Sequence, residues 1–163
     1  MLPELAGGPI RVQLKRSLGP HLAAASIPRR VILLDAAVLR SRGDFERILV
    51  HEIFHFVWVR LGNPVRWDWE RLLAAELRGG ARGELGWSAE WRKQELTATD
   101  RRTRSPRWRR YACESFCDTA AWCFAELNRH SEFTLQRRYR AGRWAWFQQL
   151  TRKNQESGAR VRV

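Results

Sequence analysis

Long apolar segments are missing from this sequence. Nothing in its 163 residues approaches the run of about 18 apolar residues that a membrane span needs. The segment MLPELAGGPIRVQLKR at residues 1–16 also lacks the apolar centre of a signal peptide. We therefore expect a cytoplasmic protein that makes no membrane contact. The length predicts one compact domain, because a chain of this size can bury a substantial core without disulfide bonds.

Cysteine is scarce and is not spaced for a sulfur-ligated zinc site. The three cysteines are Cys113, Cys117 and Cys123, and no two of them form a C-x-x-C pair. This pattern argues against a sulfur-ligated zinc or redox site. We expect reduced, buried thiols.

Lysine is nearly absent, so arginine supplies almost all of the positive charge. Only Lys15, Lys93 and Lys153 occur among 30 basic residues, and the net charge is +13 with an isoelectric point near 11.3. Such a surface attracts polyanions, so nonspecific contact with nucleic acid is expected at low salt. Arginine bias also arises from a GC-rich genome, and both explanations stay open.

The order of secondary structure predicts an α+β fold. Runs rich in β-branched and aliphatic residues at 10–16 and 29–35 predict two strands. We expect a small N-terminal sheet packed on a mainly helical domain at residues 1–150, followed by a flexible basic tail at 151–163. Gly43-Asp44 predicts the start of a helix that runs to about Leu61, and Ser105-Pro106 the start of a long helix that runs to about Asn128. Asp68 is the predicted cap of a helix over WERLLAAEL, and Ser88 that of a helix over AEWRKQEL. A last helix is predicted over 131–150, with an interruption near Gly142.

The segment RILVHEIFHFVWVRLG at residues 47–62 carries the strongest chemical signal. Residues four apart lie above one another on a helix, so His51 and His55 can bind one ion. Glu52 lies about 100° around the helix from His51, beside the water of a catalytic zinc site, and is the natural general base. The helix is also apolar nearly all round, as a core helix would be. Burial favours the metal site, because buried histidines and glutamates are costly unless a ligand satisfies them.

Local spacing excludes one class of zinc site. A metzincin needs a glycine and a third histidine at positions where this chain has Trp58 and Leu61. His21 and His130 remain as distant nitrogen ligands, but neither lies in a pattern that points to the ion.

A glutamate on a second helix is the other source of a third ligand. In YACESFCDTAAW, residues 111–122, Glu114 and Asp118 lie four apart on one helical face. One can bind zinc while the other accepts a hydrogen bond from a ligand histidine. The remaining acidic candidates lie in amphipathic stretches that predict a solvated face, namely Glu70, Glu76, Glu84, Glu90 and Glu95.

These two helices resemble the gluzincin metallopeptidases, in which H-E-x-x-H is followed on a later helix by E-x-x-x-D or E-x-x-x-E. The resemblance covers residues 44–62 and 105–128, and within that group it is greatest to the compact domain of anthrax-lethal-factor-type peptidases. It implies a zincin-like fold with two metal-binding helices. It also implies that His51, His55 and Glu114 bind zinc, that Glu52 is the base and that Asp118 orients His51.

The resemblance implies a transition-state donor as well. In that family a catalytic tyrosine lies about two turns before the glutamate, where this chain has Arg107. Tyr111 lies one turn before Glu114 on the same face, so its hydroxyl is the candidate donor. A buried structural role for Tyr111 is an equal alternative. The rival donors are Tyr139, His130 and the arginines at 101–110.

The first functional hypothesis is a zinc-dependent peptidase acting on a peptide or protein substrate. Zinc would polarise the scissile carbonyl, and Glu52 would take the proton of the attacking water and pass it to the leaving amine. The resemblance adds an edge strand that pairs with an extended peptide. RRVILLD at 29–35 would be that strand or its neighbour.

The alternative is an Arg-rich domain associated with nucleic acid, in which the zinc site is structural or vestigial. RRTRSPRWRR at 101–110 contains six arginines and a tryptophan, and the nine tryptophans of the chain would permit stacking on bases. No base-reading motif accompanies it. A structural zinc site usually has four protein ligands and needs no base, so the intact Glu52 favours catalysis.

Overall fold

The α+β prediction is confirmed. The computed structural model describes residues 2–156 and 161–163, and this part of the chain forms six α-helices and two small sheets. None of the helices in these ranges has both the length and the apolar character of a transmembrane span. The elements in chain order are β1 (Leu5–Ala6), β2 (Arg11–Lys15), β3 (Ala23–Ser26), β4 (Val31–Asp35), a 3₁₀ helix (Ala36–Arg40), α1 (Arg42–Arg60), α2 (Asn63–Arg78), α3 (Trp87–Gln94), α4 (Ala98–Thr103), α5 (Pro106–Phe124), α6 (Arg137–Glu156) and β5 (Val161–Arg162).

Strand β4 is the centre of the three-stranded sheet. β2 pairs with it in parallel and β3 pairs with it antiparallel, so the order is β2-β4-β3. The continuous apolar run of β4 is buried, with Ile32 and Leu34 fully enclosed, as the sequence predicts. The sequence does not predict β3, because AAAS contains none of the β-branched or aromatic residues that favour strands. Pairing with β4 makes this segment a strand.

The two helices with the candidate ligands begin at side-chain caps. The Ser41 hydroxyl accepts a hydrogen bond from the amide of Asp44, so α1 starts before the predicted Gly43-Asp44 cap. For α5, the predicted start is confirmed: Ser105 accepts from the amide of Trp108, and Pro106 is the first helical residue.

The other helices begin or end at residues different from those predicted. α2 starts at Asn63 rather than at Asp68, because Pro64 is accommodated in the first turn. α3 follows Gly86 rather than Ser88. The polar segment after Thr97 forms the short helix α4, where Thr97 and Asp100 make a reciprocal capping box. α5 ends at Phe124, four residues before Asn128, and α6 runs without a break through Gly142.

The core lies between α1, α5 and α6. α1 packs on α5 more extensively than on any other element. The ring of Phe54 from α1 stacks on Phe124 of α5 with centroids 5.5 Å apart, and Phe116 stacks on Phe147 of α6 at 5.0 Å. Trp69 from α2 closes this cluster and is fully enclosed. The apolar character of α1 on nearly all sides therefore reflects true burial.

The segment predicted as a tail carries regular structure where it is described. α6 continues to Glu156, and Val161–Arg162 pair in parallel with Leu5–Ala6 of β1. The side chains of Val161 and Val163 are buried, and Arg30 donates a hydrogen bond to the Val163 carbonyl oxygen at 3.0 Å. Apolar burial and strand pairing explain the difference from a solvated tail. Residues 157–160 lie outside the described part.

A buried group of charges joins α2, α5 and α6. Arg143 is fully enclosed, and its guanidinium donates to Glu76 at 2.7 Å and to Glu84 at 2.6 Å. The Tyr111 hydroxyl also donates to Glu84, at 2.6 Å, and the ammonium of Lys93 lies 3.3 Å from Glu84. The prediction of solvated positions for Glu76 and Glu84 is wrong, because Arg143 compensates their charges inside the protein. The group fixes the connection between α2 and α3.

The Arg143→Met substitution should destabilise the fold by about 3–5 kcal/mol, because it leaves the buried carboxylate of Glu76 unpaired and leaves Glu84 with only Lys93. Urea unfolding followed by circular dichroism measures this change. Arg71→Met is the matched control, since Arg71 pairs with Asp68 at the surface with 77% of its side chain exposed. The control should change stability by less than about 1 kcal/mol. Equal effects of the two substitutions would contradict the assigned role of Arg143.

Candidate metal centre

The two histidines of α1 converge with Glu114 of α5. Their Nε2 atoms are 3.1 Å apart. Oε2 of Glu114 lies 3.3 Å from Nε2 of His51 and 3.9 Å from Nε2 of His55. Donor atoms around a tetrahedral zinc ion lie about 3.3 Å apart, because each bond is about 2.0–2.1 Å long. The structure therefore brings these three predicted ligands together at nearly the spacing that one metal ion requires.

The other ring nitrogen of His51 faces Asp118. Its Nδ1 lies 2.7 Å from Oδ1 of Asp118, whose Oδ2 accepts a hydrogen bond from the Ala89 amide at 2.9 Å. In the neutral ring this contact places the proton on Nδ1 and leaves Nε2 for a metal. Burial lowers the pKa of His51, but the charge and hydrogen bond of Asp118 raise it well above its usual value. The predicted contact between Asp118 and His51 is therefore present.

Two cysteine sulfur atoms lie beside Nδ1 of His55. Sγ of Cys113 and Sγ of Cys117 each lie 3.5 Å from its Nδ1. A hydrogen bond from Cys117 lowers the pKa of Cys113 to about 6, so Cys113 can accept from Nδ1–H as a thiolate. All three cysteines are free thiols as predicted, although only Cys117 is fully buried. Both histidines thus direct Nε2 toward the same point.

Cys117 offers a second donor set with the same two histidines. Ligand atoms of His51, His55 and Cys117 lie within 4.8 Å of one another. Glu114 fits better as the third ligand, because its oxygen lies near both Nε2 atoms whereas the sulfur lies at Nδ1 of His55. Burial raises the pKa of Cys117 well above its usual value and favours the neutral thiol. Burial also raises the pKa of Glu114, but contacts with both histidines and Arg92 outweigh it and lower that pKa.

Glu52, the predicted general base, is buried beside the two histidines. It follows His51 on α1 and forms part of the walls of two cavities that lie beside the histidines. Only 7% of its surface is exposed. Burial raises the pKa of Glu52, and this effect outweighs the charges of His51 and His55, which lower it. A carboxylate with a raised pKa accepts a proton more readily near neutral pH.

A cleft between β3 and α3 gives access to the histidines. It consists of two adjoining cavities of about 270 and 320 Å³, and His51 and Glu52 contribute to the walls of both. Ala23 of β3 and Ser88 of α3 form part of the walls of both cavities. The smaller cavity extends toward His55 and Glu114. Residues of β3 therefore border the same cavity as the three candidate ligands.

Gly86 allows α3 to approach the site closely. A Cβ atom at this position would lie 2.2 Å from Cγ of Asp118, which is far inside van der Waals contact. The backbone of Gly86 is extended, with φ at −178°, so space rather than conformation requires glycine. The absence of a side chain lets the first turn of α3 reach Asp118 and donate the Ala89 amide. The sequence contains no local signal for this requirement.

Several predicted candidates lie outside the cleft. Tyr111, the predicted transition-state donor, is buried and its hydroxyl donates to Glu84, as the alternative structural role for this residue requires. Nε2 of His130 lies 2.8 Å from Oδ1 of Asp44, so His130 contacts Asp44 and not the metal centre. The Tyr139 hydroxyl donates to the carbonyl oxygen of Gly79.

Arg92 belongs to the site but is not predicted from the sequence. One of its terminal nitrogens lies 3.2 Å from Oε1 of Glu114, and the side chain forms part of the smaller cavity. His21, which the sequence offers only as a distant ligand, forms part of both cavities from the loop before β3. Sequence spacing relates neither residue to α1 or α5. Both are recognised only through tertiary contacts.

The Gly86→Ala substitution should weaken zinc binding by about 10- to 100-fold, because the added methyl group would displace Asp118 from His51. Competition with a chromogenic zinc chelator measures the affinity, and thermal unfolding verifies that the variant folds. Gly142→Ala is the control, since a Cβ atom there would meet only Leu72 at 3.8 Å. Unchanged zinc affinity in folded Gly86→Ala would disprove the importance of this close approach.

Comparisons with known proteins do not assign the chain to a family. The likeness to gluzincins therefore rests on the residues described above, namely His51, Glu52, His55, Glu114 and Asp118. No protein-family model, curated protein or solved structure matches the chain.

Proposed function

We propose that this protein is a zinc-dependent metallopeptidase of the gluzincin type. The observation that carries the proposal is the convergence of His51, His55 and Glu114, with the carboxylate of Glu52 in the wall of the same cleft. Two imidazoles and one carboxylate form the ligand set of many catalytic zinc sites. An adjacent carboxylate outside that set is what a hydrolytic site needs as a base.

In the proposed reaction some residues hold and orient the zinc ligands, and another residue transfers the proton. A bound zinc ion would polarise the scissile carbonyl group and lower the pKa of the attacking water. Glu52 takes the proton of that water and delivers it to the nitrogen of the leaving amine. Asp118 holds His51 in the orientation that presents Nε2. These roles require the carboxylates of Glu52 and Asp118 to be ionised.

Arg92 is the candidate that replaces Tyr111 in stabilising negative charge on the substrate. Its guanidinium forms part of the cleft wall beside Glu114 and is fixed by a hydrogen bond to the Ser88 carbonyl oxygen at 3.0 Å. A cation held in a partly buried cleft stabilises a developing oxyanion more strongly than it would in water. His21 also forms part of the wall of this cleft and is a second candidate donor.

Strand β3 supplies a surface for an extended substrate. Within the described part of the chain it pairs only with β4, and Ala23, Ala24 and Ala25 form part of the cleft wall. An edge strand can add a peptide through main-chain hydrogen bonds, and small side chains leave room for it. The predicted strand RRVILLD corresponds to β4, which is the neighbour of this edge. We therefore propose a peptide in extended conformation as the substrate.

The nucleic-acid alternative is supported by exposed arginines and by exposed tryptophans. Arg102, Arg107, Arg109 and Arg110 lie on the surface around α4 and the start of α5. Trp108 is 1% exposed and donates to Glu70, so it does not offer a face for base stacking. The exposed tryptophans are Trp67, Trp87, Trp91 and Trp144. A nonspecific polyanion contact through these arginines is compatible with peptidase activity. It does not account for Glu52 in the cleft.

The His55→Ala substitution should abolish stoichiometric zinc binding, because it removes one of only three protein ligands. Elemental analysis of protein purified without a histidine tag measures the metal content. His130→Ala is the matched control, since His130 is a histidine bonded to Asp44 outside the cleft. Full zinc content in folded His55→Ala would refute the assigned centre.

The Glu52→Gln substitution should keep zinc binding and lower peptide hydrolysis by at least about 100-fold, because it removes only proton transfer. Cleavage of a mixed peptide library followed by mass spectrometry provides the assay. Loss of zinc from folded Glu52→Gln would show that Glu52 is a ligand. Absence of hydrolysis by the zinc-loaded wild-type protein would reject the peptidase proposal itself.

A further inference from the structure

Strand β2 has a free edge on the side away from β4. In residues 2–156 and 161–163, β4 is the only strand that pairs with β2, and the amide of Arg11 donates to the carbonyl oxygen of Arg30. Successive residues of a strand direct their backbone groups to alternate sides, so the amides and carbonyl groups of Val12 and Leu14 point away from β4. This edge therefore offers backbone donors and acceptors to a further strand.

The side chains of β2 alternate between polar and apolar residues, and all of them are exposed. Val12 and Leu14 pair in register with the two fully enclosed residues of β4, so they lie on the face of the sheet that covers the core. They are nevertheless 48% and 53% exposed. A free edge with large exposed apolar side chains promotes association with another strand.

The opposite face of this edge is basic. Arg11, Gln13 and Lys15 form part of the wall of a cavity of about 430 Å³, and Arg29 contributes a third cation to it. No acidic side chain is among the described residues that form this cavity. Asp35 of β4 is opposite Lys15, but its carboxylate accepts hydrogen bonds from two backbone amides at 2.7 and 2.8 Å. The surface therefore attracts carboxylates.

Neither a second copy of this chain nor a nucleic acid fits both faces of the edge. Antiparallel pairing of β2 with the whole of β2 from a second copy would place Arg11 opposite Lys15, and like charges that face each other directly are destabilising. A nucleic acid would contact the basic face, but it has no strand backbone to pair with Val12 and Leu14 and no apolar side chains to cover them. An acidic polypeptide in extended conformation supplies all three interactions.

We propose that the free edge of β2 binds an extended segment of a partner protein in which acidic and apolar residues alternate. The segment would extend the sheet through main-chain hydrogen bonds to Val12 and Leu14. Because the side chains of a strand alternate between two faces, its apolar residues would cover these two residues while its carboxylates face Arg11 and Lys15. β4 separates this edge from β3 and the cleft, so the contact requires neither zinc nor peptidase activity.

Fluorescence anisotropy with zinc-free protein and labelled peptides tests the chemistry of the partner. A short peptide of alternating glutamate and valine should bind. The same composition arranged as a block of glutamates and a block of valines should bind at least about 10-fold more weakly, because it cannot place all carboxylates on one face of a strand. A peptide of alternating lysine and valine should bind no better than the block peptide. Equal binding of the alternating glutamate peptide and either of the other two would overturn the proposal.

Reversal of charge on β2 tests the basic face. Arg11→Glu combined with Lys15→Glu should weaken binding of the alternating glutamate peptide by at least about 10-fold, because two attractive cross-strand pairs become repulsive. The matched control is Arg102→Glu combined with Arg109→Glu, which changes the net charge equally at exposed positions of α4 and α5. The control should retain the affinity to within about threefold, since salt screens distant charges. Equal losses in the two double variants would contradict the assigned edge.

The Val12→Pro substitution tests the main-chain pairing. Proline removes the outward amide without removing a bond to β4, and edge strands tolerate it at such positions. The affinity for the alternating glutamate peptide should fall by at least about fivefold, because main-chain hydrogen bonds supply the affinity of an added strand. Unchanged affinity in folded Val12→Pro would contradict the proposal.

Amide hydrogen exchange of the wild-type protein locates the peptide without any substitution. The alternating glutamate peptide should slow exchange at the amides of Val12 and Leu14 and leave β3 unchanged. Slower exchange confined to β3 would place the peptide in the cleft and overturn the proposal.

The other two occupants of the edge give distinct results. A wild-type dimer in analytical ultracentrifugation that dissociates on Val12→Pro substitution would assign the edge to a second copy. Protection of the Val12 and Leu14 amides by a poly-thymidine oligonucleotide, and not by the alternating glutamate peptide, would assign it to nucleic acid. Either result would reject the acidic segment as the occupant.

Discussion

The carboxylate of Asp118 connects the elements that form the candidate metal centre. One oxygen contacts His51 of α1, the other accepts the amide of Ala89 in α3, and the residue itself belongs to α5. Three helices are thereby joined at a single buried side chain. Because the donor atoms must meet within a few tenths of an ångström for a metal to bind well, this contact sets the precision of the site. Gly86 makes the contact sterically feasible.

Buried charges, rather than apolar packing alone, determine how the helices are arranged. The aromatic cluster of Phe54, Phe116 and Phe147 would tolerate small shifts, because apolar contacts have little directional preference. The bonds of Arg143 to Glu76 and Glu84 do not tolerate them, since each misplaced partner would leave a charge unpaired. Tyr111 is part of this arrangement. Its buried hydroxyl donates to Glu84, so Tyr111 contributes to the packing of the core.

The sequence predicts those parts of the site that depend on spacing within one helix. His51 and His55, and likewise Glu114 and Asp118, are four residues apart, so helical geometry alone aligns each pair. The two helices face each other because their apolar surfaces pack together. Arg92, Gly86 and β3 were not predictable, because their positions depend on contacts between segments distant in sequence. Tyr111 illustrates the same limit, since helical spacing placed it near Glu114 but could not reveal Glu84 as its partner.

The pairing of β1 with β5 has a consequence for the order in which the protein folds. Leu5 pairs with Val161, so this small sheet joins segments separated by almost the whole chain. Closing so long a loop costs more entropy than forming any of the helical contacts, and little is gained until the helices have packed. During synthesis β1 must wait for its partner strand, while α1 and α5 can already meet. The two helices that carry the candidate metal ligands should therefore be assembled before β1 and β5 pair.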